Sequence, residues 1–338
     1  MTDEFRIGVI GLRFGQLHVQ TIANMPNVRL VAVADRNPAV PGGLAAYAAS
    51  YGATAYHDGI EMLENEPLDG VSLCVSPGYR RPLIEKAAQL GIPLLVEKPW
   101  AANVAEAEAL AALCAGHKAT VMVGFSFRYH PAIVKLKQLI DDTLGAPWLL
   151  NGEYLFGWLP PAEHWLWQPE GGNGFFNENS CHLLDAVCYL LGEPVSLFAE
   201  TGNFRGSPQA EVAAVTIRFA SGASAALTLG CLGTAVFQTH PRLDLVAENG
   251  QAHLAGRDHM WESVTWATHG DQAAHTFAAP PEQLGSTRYT AGLTHFVECV
   301  RNGRLPTATV QDGVRAVRLA MAIGQSAASG KPVLLAEA

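Results

Sequence analysis

The stretch Arg6-Ile7-Gly8-Val9-Ile10-Gly11-Leu12-Arg13-Phe14-Gly15 decides how the first part of the chain folds. Arg6 to Ile10 is a short apolar run and reads as a buried parallel strand. Gly11 and Gly15 bracket a turn, and a helix is expected from about Gln16 to Met25. Strand, glycine turn and helix, in that order, form the context a dinucleotide fingerprint requires. The turn backbone and the helix N-terminus together accept a pyrophosphate. A second apolar run, Val28 to Ala34, ends in Asp35-Arg36. Asp35 stands twenty residues past Gly15, the spacing at which a carboxylate meets the adenosine ribose hydroxyls. Taken singly, these are a helix-capping glycine and a solvated turn aspartate; their order is what points to a dinucleotide.

The fingerprint departs from G-x-G-x-x-G at one place. Arg13 stands where a second glycine would let backbone approach the phosphates, and the spacing is one residue short. Arg13 either crowds the pyrophosphate or binds it through two guanidinium hydrogen bonds. The sequence leaves both readings open.

Outward from this unit, strands are expected at Ala53 to Tyr56, Gly70 to Val75, Pro93 to Val96 and Thr120 to Phe125. Helical stretches lie between them. Asp58 is placed to cap the turn through Leu63, Gly91 closes the helix ending at Leu90, and Asn103 with Glu106 forms a capping box. Six strands alternating with helices predict a doubly wound parallel sheet, a Rossmann domain over 1–125. The run Pro93 to Val96 delivers Glu97 and Lys98 to a strand's carboxyl end, where open α/β sheets bind ligands. Pro99 then ends the ladder. A lysine fixed there can hold a substrate oxygen; the plainer reading is a solvated strand end.

Beyond Phe125 the pattern changes. Pro131 opens a helix to Ile140, and strands then follow one another: Trp148 to Leu155, Val195 to Glu200, Val212 to Phe219, Ala223 to Cys231, Leu243 to Ala247 and Ser263 to Thr268. Ser221-Gly222 and Asn249-Gly250 carry hairpin chemistry. An α+β domain over 126–338 with a large, mostly antiparallel open sheet is expected, helices on one face, closing with two helices. Ala278 to Thr287 reads as a loop.

Composition narrows the function classes. The 338 residues are 49% hydrophobic and 16% charged, which suits a packed globular protein of two domains. A net charge of −9 without a basic patch argues against nucleic acid. No apolar run is long enough to span a bilayer, and no signal peptide precedes the first strand, so a cytoplasmic location is expected. Six scattered cysteines without a CxxC pair imply free thiols. Twelve histidines lack metal-ligand spacing, and no metal is expected.

A second cluster sits at Gly171-Gly172-Asn173-Gly174-Phe175-Phe176-Asn177-Glu178-Asn179-Ser180-Cys181-His182-Leu183-Leu184-Asp185. Ser180 is placed to cap a helix running to Leu191, which puts His182 in its first turn. The positive helix end there disfavours imidazolium, and a neutral imidazole is what a proton-abstracting base requires. Glu178 could orient that base. A surface histidine beside a carboxylate is the plainer alternative. Upstream, Trp158, Trp165 and Trp167 could stack on a sugar face or cover an interface between subunits. His18 reads as structural.

Taken together, these motifs are similar to those of the glucose–fructose oxidoreductase / inositol dehydrogenase (Gfo/Idh/MocA) family. The resemblance runs through Gly11 to His18, Asp35-Arg36, Tyr56-His57-Asp58, Ser76-Pro77 and Glu97-Lys98-Pro99. It continues in Gly124 to Pro131, His182 to Asp185, Arg218 to Gly222, Asn302 to Pro306 and Ser326 to Val333. It implies hydride transfer between NAD, preferred through Asp35, or NADP and a carbinol carbon of a sugar, sugar derivative or cyclitol. Gly11, Arg13, Phe14, Gly15, Asp35, Arg36, Ser76, Pro77, Glu97 and Lys98 would then line the cofactor. Lys98, His182 and Glu178 would be catalytic, and Lys98, Arg128, His182 and Trp165 would meet substrate. The two domains would have to bring Lys98 and His182 to one cleft. The C-terminal sheet would join a homodimer or homotetramer. Four positions depart from the family pattern: Glu178 for aspartate, Ser180 for glycine, Ser126 for asparagine and Arg81 for histidine. The same resemblance covers enzymes that cleave glycosides through transient oxidation by bound NAD, and non-catalytic dinucleotide-binding regulators.

Overall fold

The computed structural model describes residues 4–234, 236, 242–257, 260–285 and 287–335. The chain forms two compact units, Met1–Gly124 with Tyr289–Val314, and Phe125–Arg288 with Arg315–Ala338.

The first unit alternates strand and helix: β1 (Phe5–Ile10), α1 (Gly15–Ala23), β2 (Val28–Ala34), α2 (Gly43–Ser50), β3 (Thr54–Tyr56), α3 (Gly59–Asn65), β4 (Gly70–Leu73), α4 (Arg81–Leu90), β5 (Leu94–Val96), α5 (Val104–Gly116) and β6 (Val121–Val123). The six strands are all parallel, in the order β3-β2-β1-β4-β5-β6. Helical crossovers cover both faces of such a sheet, which is why its strands are apolar throughout rather than alternating. Ile7, Val9, Val71, Leu73 and Val96 are all fully buried. Strand order reverses between β1 and β4, and ligands of open α/β sheets bind outside the carboxyl ends at that point.

Residues 289–314 pack with the first unit. Apolar contact explains this. On the helix Thr287–Arg301, Phe296 meets Phe5 edge-on with ring centroids 6.4 Å apart, and it lies against Gly70. Farther on, the Ala308 carbonyl accepts the Val123 N–H at 2.9 Å, and Gly313 leaves room for Trp100.

The second unit begins with α6 (Pro131–Leu139) and β7 (Pro147–Leu155), followed by α7 (Phe175–Glu178) and α8 (Cys181–Leu191). Then come β8 (Pro194–Gly202), β9 (Val212–Phe219), β10 (Ser224–Gly230), β11 (Arg242–Ala247), β12 (Gly250–Arg257), β13 (Met260–Thr268), β14 (His275–Ala278) and, after the helix Val310–Ser329, β15 (Val333–Leu334). Nine strands form one sheet in the order β14-β13-β12-β11-β7-β10-β9-β8-β15. Every pair is antiparallel except β7 with β10. Side chains alternate, so Ala213, Val215, Ile217 and Phe219 of β9 share the buried face. Ile133 and Leu136 of α6 and Leu183 and Leu184 of α8 belong to the same core. Gly222, at φ +90°, makes the β9–β10 hairpin possible. β12, β14 and β15 have no counterpart among the strands of the sequence reading. No helix among the described residues is long and apolar enough to cross a membrane.

Candidate functional site

The turn after β1 is built on close backbone approach. Gly11 has φ +91°, and a Cβ there would fall 2.8 Å from Val75 Cγ1 and 2.9 Å from the Cys74 carbonyl carbon. A Cβ on Gly15 would fall 3.0 Å from Val9 Cγ1. Both glycines are therefore required by the packing of this turn on the end of β4. Asp35, half-buried after β2, braces the turn: its carboxylate accepts the Leu12 N–H at 2.6 Å and the Asn37 N–H at 2.8 Å. Each oxygen keeps a further lone pair for a hydroxyl donor. Arg13 and Phe14 are exposed on the turn. Arg36 is exposed too, 3.7 Å from Asp58. The bare, glycine-walled cradle at a helix start fits a dinucleotide pyrophosphate.

Two neighbouring loops complete this side of the unit. After β4, Pro77 opens the short 3-10 turn Pro77–Tyr79 behind Ser76. After β5, the Glu97 N–H still donates to the Leu73 carbonyl at 2.9 Å, and Lys98 follows, half-buried. Arg80, absent from the expected set, ties the two loops together. Its buried guanidinium donates to the carbonyls of Val75 at 2.8 Å, Trp100 at 3.3 Å, Lys98 at 3.4 Å, and Pro99. Arg81 beside it pairs with Glu106 at 3.0 and 2.6 Å, so Glu106 does not return the capping-box bond that Asn103 begins. Among sequence signals, only the doubled arginine before α4 could have drawn attention to Arg80.

His18 is more than a filler of the core. It is 2% exposed, with Nδ1 2.7 Å from Ser72 Oγ and Nε2 3.2 Å from Glu97 Oε1. Burial alone would lower its pKa, but the Cys74 sulfur and the Glu97 carboxylate beside it hold it well above the ordinary imidazole value.

In the second unit, glycines again shape the loop. A Cβ on Gly172 would fall 2.7 Å from the Leu166 carbonyl oxygen and 3.0 Å from Glu178 Cβ, and Gly174 has φ +98°. Buried Asn177 donates to the Gly172 carbonyl at 2.8 Å. Ser180 does not cap α8, contrary to expectation. It has helical φ −68° and ψ −13°, because the chain passes almost without a break from α7 into α8, and its buried hydroxyl has no hydrogen-bond partner among the described residues. His182 does lie in the first turn of α8, half-buried, its ring stacked on Phe127 at 4.6 Å between centroids. Glu178 accepts an Asn179 side-chain N–H at 3.4 Å.

Arg128, expected at the substrate, is 4% exposed and bound bidentately to Asp185 at 2.8 and 2.5 Å. Its guanidinium also lies 4.9 Å over the Tyr189 ring. A buried fork–fork pair of this kind fixes α8 to the segment Ser126–Tyr129. Trp165 is half-buried in the 3-10 turn Trp165–Trp167. Thus the cofactor candidates and Lys98 belong to the first unit, and His182, Glu178, Arg128 and Trp165 to the second.

A family model described as oxidoreductase family, NAD-binding Rossmann fold, matches residues 5–125. A second, the C-terminal alpha/beta domain of the same oxidoreductase family, matches residues 137–335. With the glycine cradle, these matches define an NAD-binding oxidoreductase. The chain belongs to the Gfo/Idh/MocA oxidoreductase family. It is 27% identical over 349 residues to scyllo-inositol 2-dehydrogenase (NAD(+)) of Bacillus subtilis (strain 168), covering 99% of this chain and 97% of that one. It is 28% identical over 330 residues to the rhizopine catabolism protein MocA of Rhizobium meliloti, covering 94% and 93%. Levoglucosan dehydrogenase, solved in complex with NADH and L-sorbose, has the same fold: TM-score 0.89, 20% identity, 99% of each chain.

Proposed function

We propose that this oxidoreductase moves a hydride between a carbinol carbon of a sugar, sugar derivative or cyclitol and a nicotinamide cofactor, with NAD preferred over NADP. Bound nicotinamide supplies the hydride acceptor or donor. In the oxidation direction, Lys98 binds the reacting oxygen and offsets its developing negative charge, while His182 takes the hydroxyl proton. Glu178 orients His182. Asp35 accepts ribose hydroxyls and repels a 2′-phosphate, which favours NAD. The observation that carries this reading is Lys98 at the carboxyl end of β5, in the same sheet as the glycine cradle and on the side of β4 away from it. Names such as inositol dehydrogenase among the relatives supply the substrate class.

A fluorescence screen of sugars and cyclitols with both NAD+ and NADP+ tests it. Net accumulation of reduced cofactor with at least one polyol, faster with NAD+, is the expected result. Net turnover would also separate a dehydrogenase from a glycoside-cleaving enzyme, which regenerates its cofactor in each cycle. Absence of reduction across the panel, or a preference for NADP+, would count against the reading.

A further inference from the structure

The segment that bears Lys98 is held from behind by groups to which the proposed reaction gives no part. His18 on α1 reaches two neighbouring strands: Nδ1 lies 2.7 Å from Ser72 Oγ on β4, and Nε2 lies 3.2 Å from Glu97 Oε1 after β5. The other Glu97 oxygen accepts the Lys98 backbone N–H at 3.2 Å. A Cβ on Gly124 would fall 2.7 Å from Glu97 Oε1, so that glycine is what leaves the carboxylate its room. The imidazole and the carboxylate are 2% and 6% exposed. Burying an ion pair costs several kcal/mol per ion, and well-packed apolar residues of similar volume commonly serve stability as well or better. Packing alone is therefore a poor reason for these two residues. The ring of His18 also meets Phe14 of the glycine turn edge-on, centroids 5.5 Å apart, so one side chain touches both the cofactor turn and the lysine segment.

We propose that His18 is a positioning residue for Lys98, acting through the Glu97 carboxylate that it holds. The inference rests on the catalytic reading of Lys98. The raised pKa of His18 accords with it, since a protonated ring forms an ion pair with the Glu97 carboxylate beside it.

Competitive labelling with trace acetic anhydride, read by peptide mass spectrometry, reports the state of the Lys98 amine directly. Exposed Lys118 and Lys331 serve as internal references. His18→Asn keeps a group near Ser72 but withdraws the nitrogen that faces Glu97; His18→Gln keeps a nitrogen at the Nε2 position. The first should change relative Lys98 labelling by about threefold or more, equivalent to about half a pKa unit, and the second by less than about twofold. Gly124→Ala, which crowds the carboxylate without touching His18, should reproduce the His18→Asn change. It carries the test, with Glu97→Gln, if His18→Asn does not fold. Unchanged Lys98 labelling in folded His18→Asn or Gly124→Ala overturns the proposal, as do equal shifts in the Asn and Gln variants. Full turnover of Lys98→Met would instead overturn the catalytic reading, a result independent of the labelling.

Discussion

Lys98 and His182 are held by different means. Lys98 begins a segment whose carbonyls are gathered by Arg80, whereas His182 is oriented by stacking on Phe127 and by its place in the first turn of α8. A positioned acid–base group contributes about 10²–10⁴-fold in rate, so His182→Asn should lower kcat by about that factor with NADH affinity near wild type. Lys98→Met should be comparably damaging, and the double variant little worse than either if the pair acts as a unit. Near-normal turnover of folded His182→Asn would return that residue to a packing role. His18 gives a second test, of stability rather than rate. Its folded pKa lies above the unfolded value of about 6.5, so the stability it contributes is complete below 6.5 and lost as pH rises through the folded value. The melting-temperature gap between wild type and His18→Asn should therefore be widest in acid and narrow toward alkaline pH; a gap that widens with pH contradicts this. The groups facing the ring that raise its pKa are Cys74 and Glu97.

At the scale of elements, the glycine turn does two things at once, bending out of β1 and pressing on β4. Gly11→Ala places a Cβ at positive φ against the Cys74 backbone, which should cost about 1–3 kcal/mol of stability and weaken NADH binding. Arg13→Ala, on the exposed outer part of the turn, should leave stability alone. If the guanidinium binds pyrophosphate, that variant weakens NADH binding by about 1.5–3 kcal/mol. Equal or tighter binding in an NADH titration would mean that Arg13 is not a ligand. This element was legible because its cause is local: an apolar strand, two glycines and an acidic residue at fixed spacing. Six of the nine strands of the second sheet were legible for the same reason, since alternation and hairpin glycines are local signals. Ser180 carries a capping side chain but does not cap, because α7 delivers the chain already helical, which no local signal reveals. Arg128 pairs with Asp185, which lies far away in sequence. Buried long-range pairs such as Arg128 with Asp185, and His18 with Glu97, leave no periodic trace.

For the whole molecule, the division into units and the open sheet matter most. The return of residues 289–314 to the first unit was not readable, because helix periodicity says which face is apolar but not which core receives it. The sheet raises the question of assembly. Its strands in the second unit are buried on one face by α6 and α8, while Asn151, Glu153, Glu200, Thr216, Thr228 and Arg242 line a recess of about 540 Å³ on the other. Leu149 and Val246, paired across β7 and β11, are 41% and 40% exposed on the same sheet. Apolar pairs in that setting suit contact with a second copy better than contact with water, since interfaces bury such residues at their centre behind a polar rim. We therefore expect a homodimer or homotetramer that uses this sheet. Leu149→Glu with Val246→Glu would set two like charges directly opposite each other, destabilising any apolar contact there while leaving the buried face of the sheet untouched. Sedimentation velocity should show wild type as an oligomer and the double variant shifted toward monomer, with far-UV circular dichroism unchanged. A monomeric wild type, or an oligomer indifferent to both charges, would place assembly elsewhere or remove it.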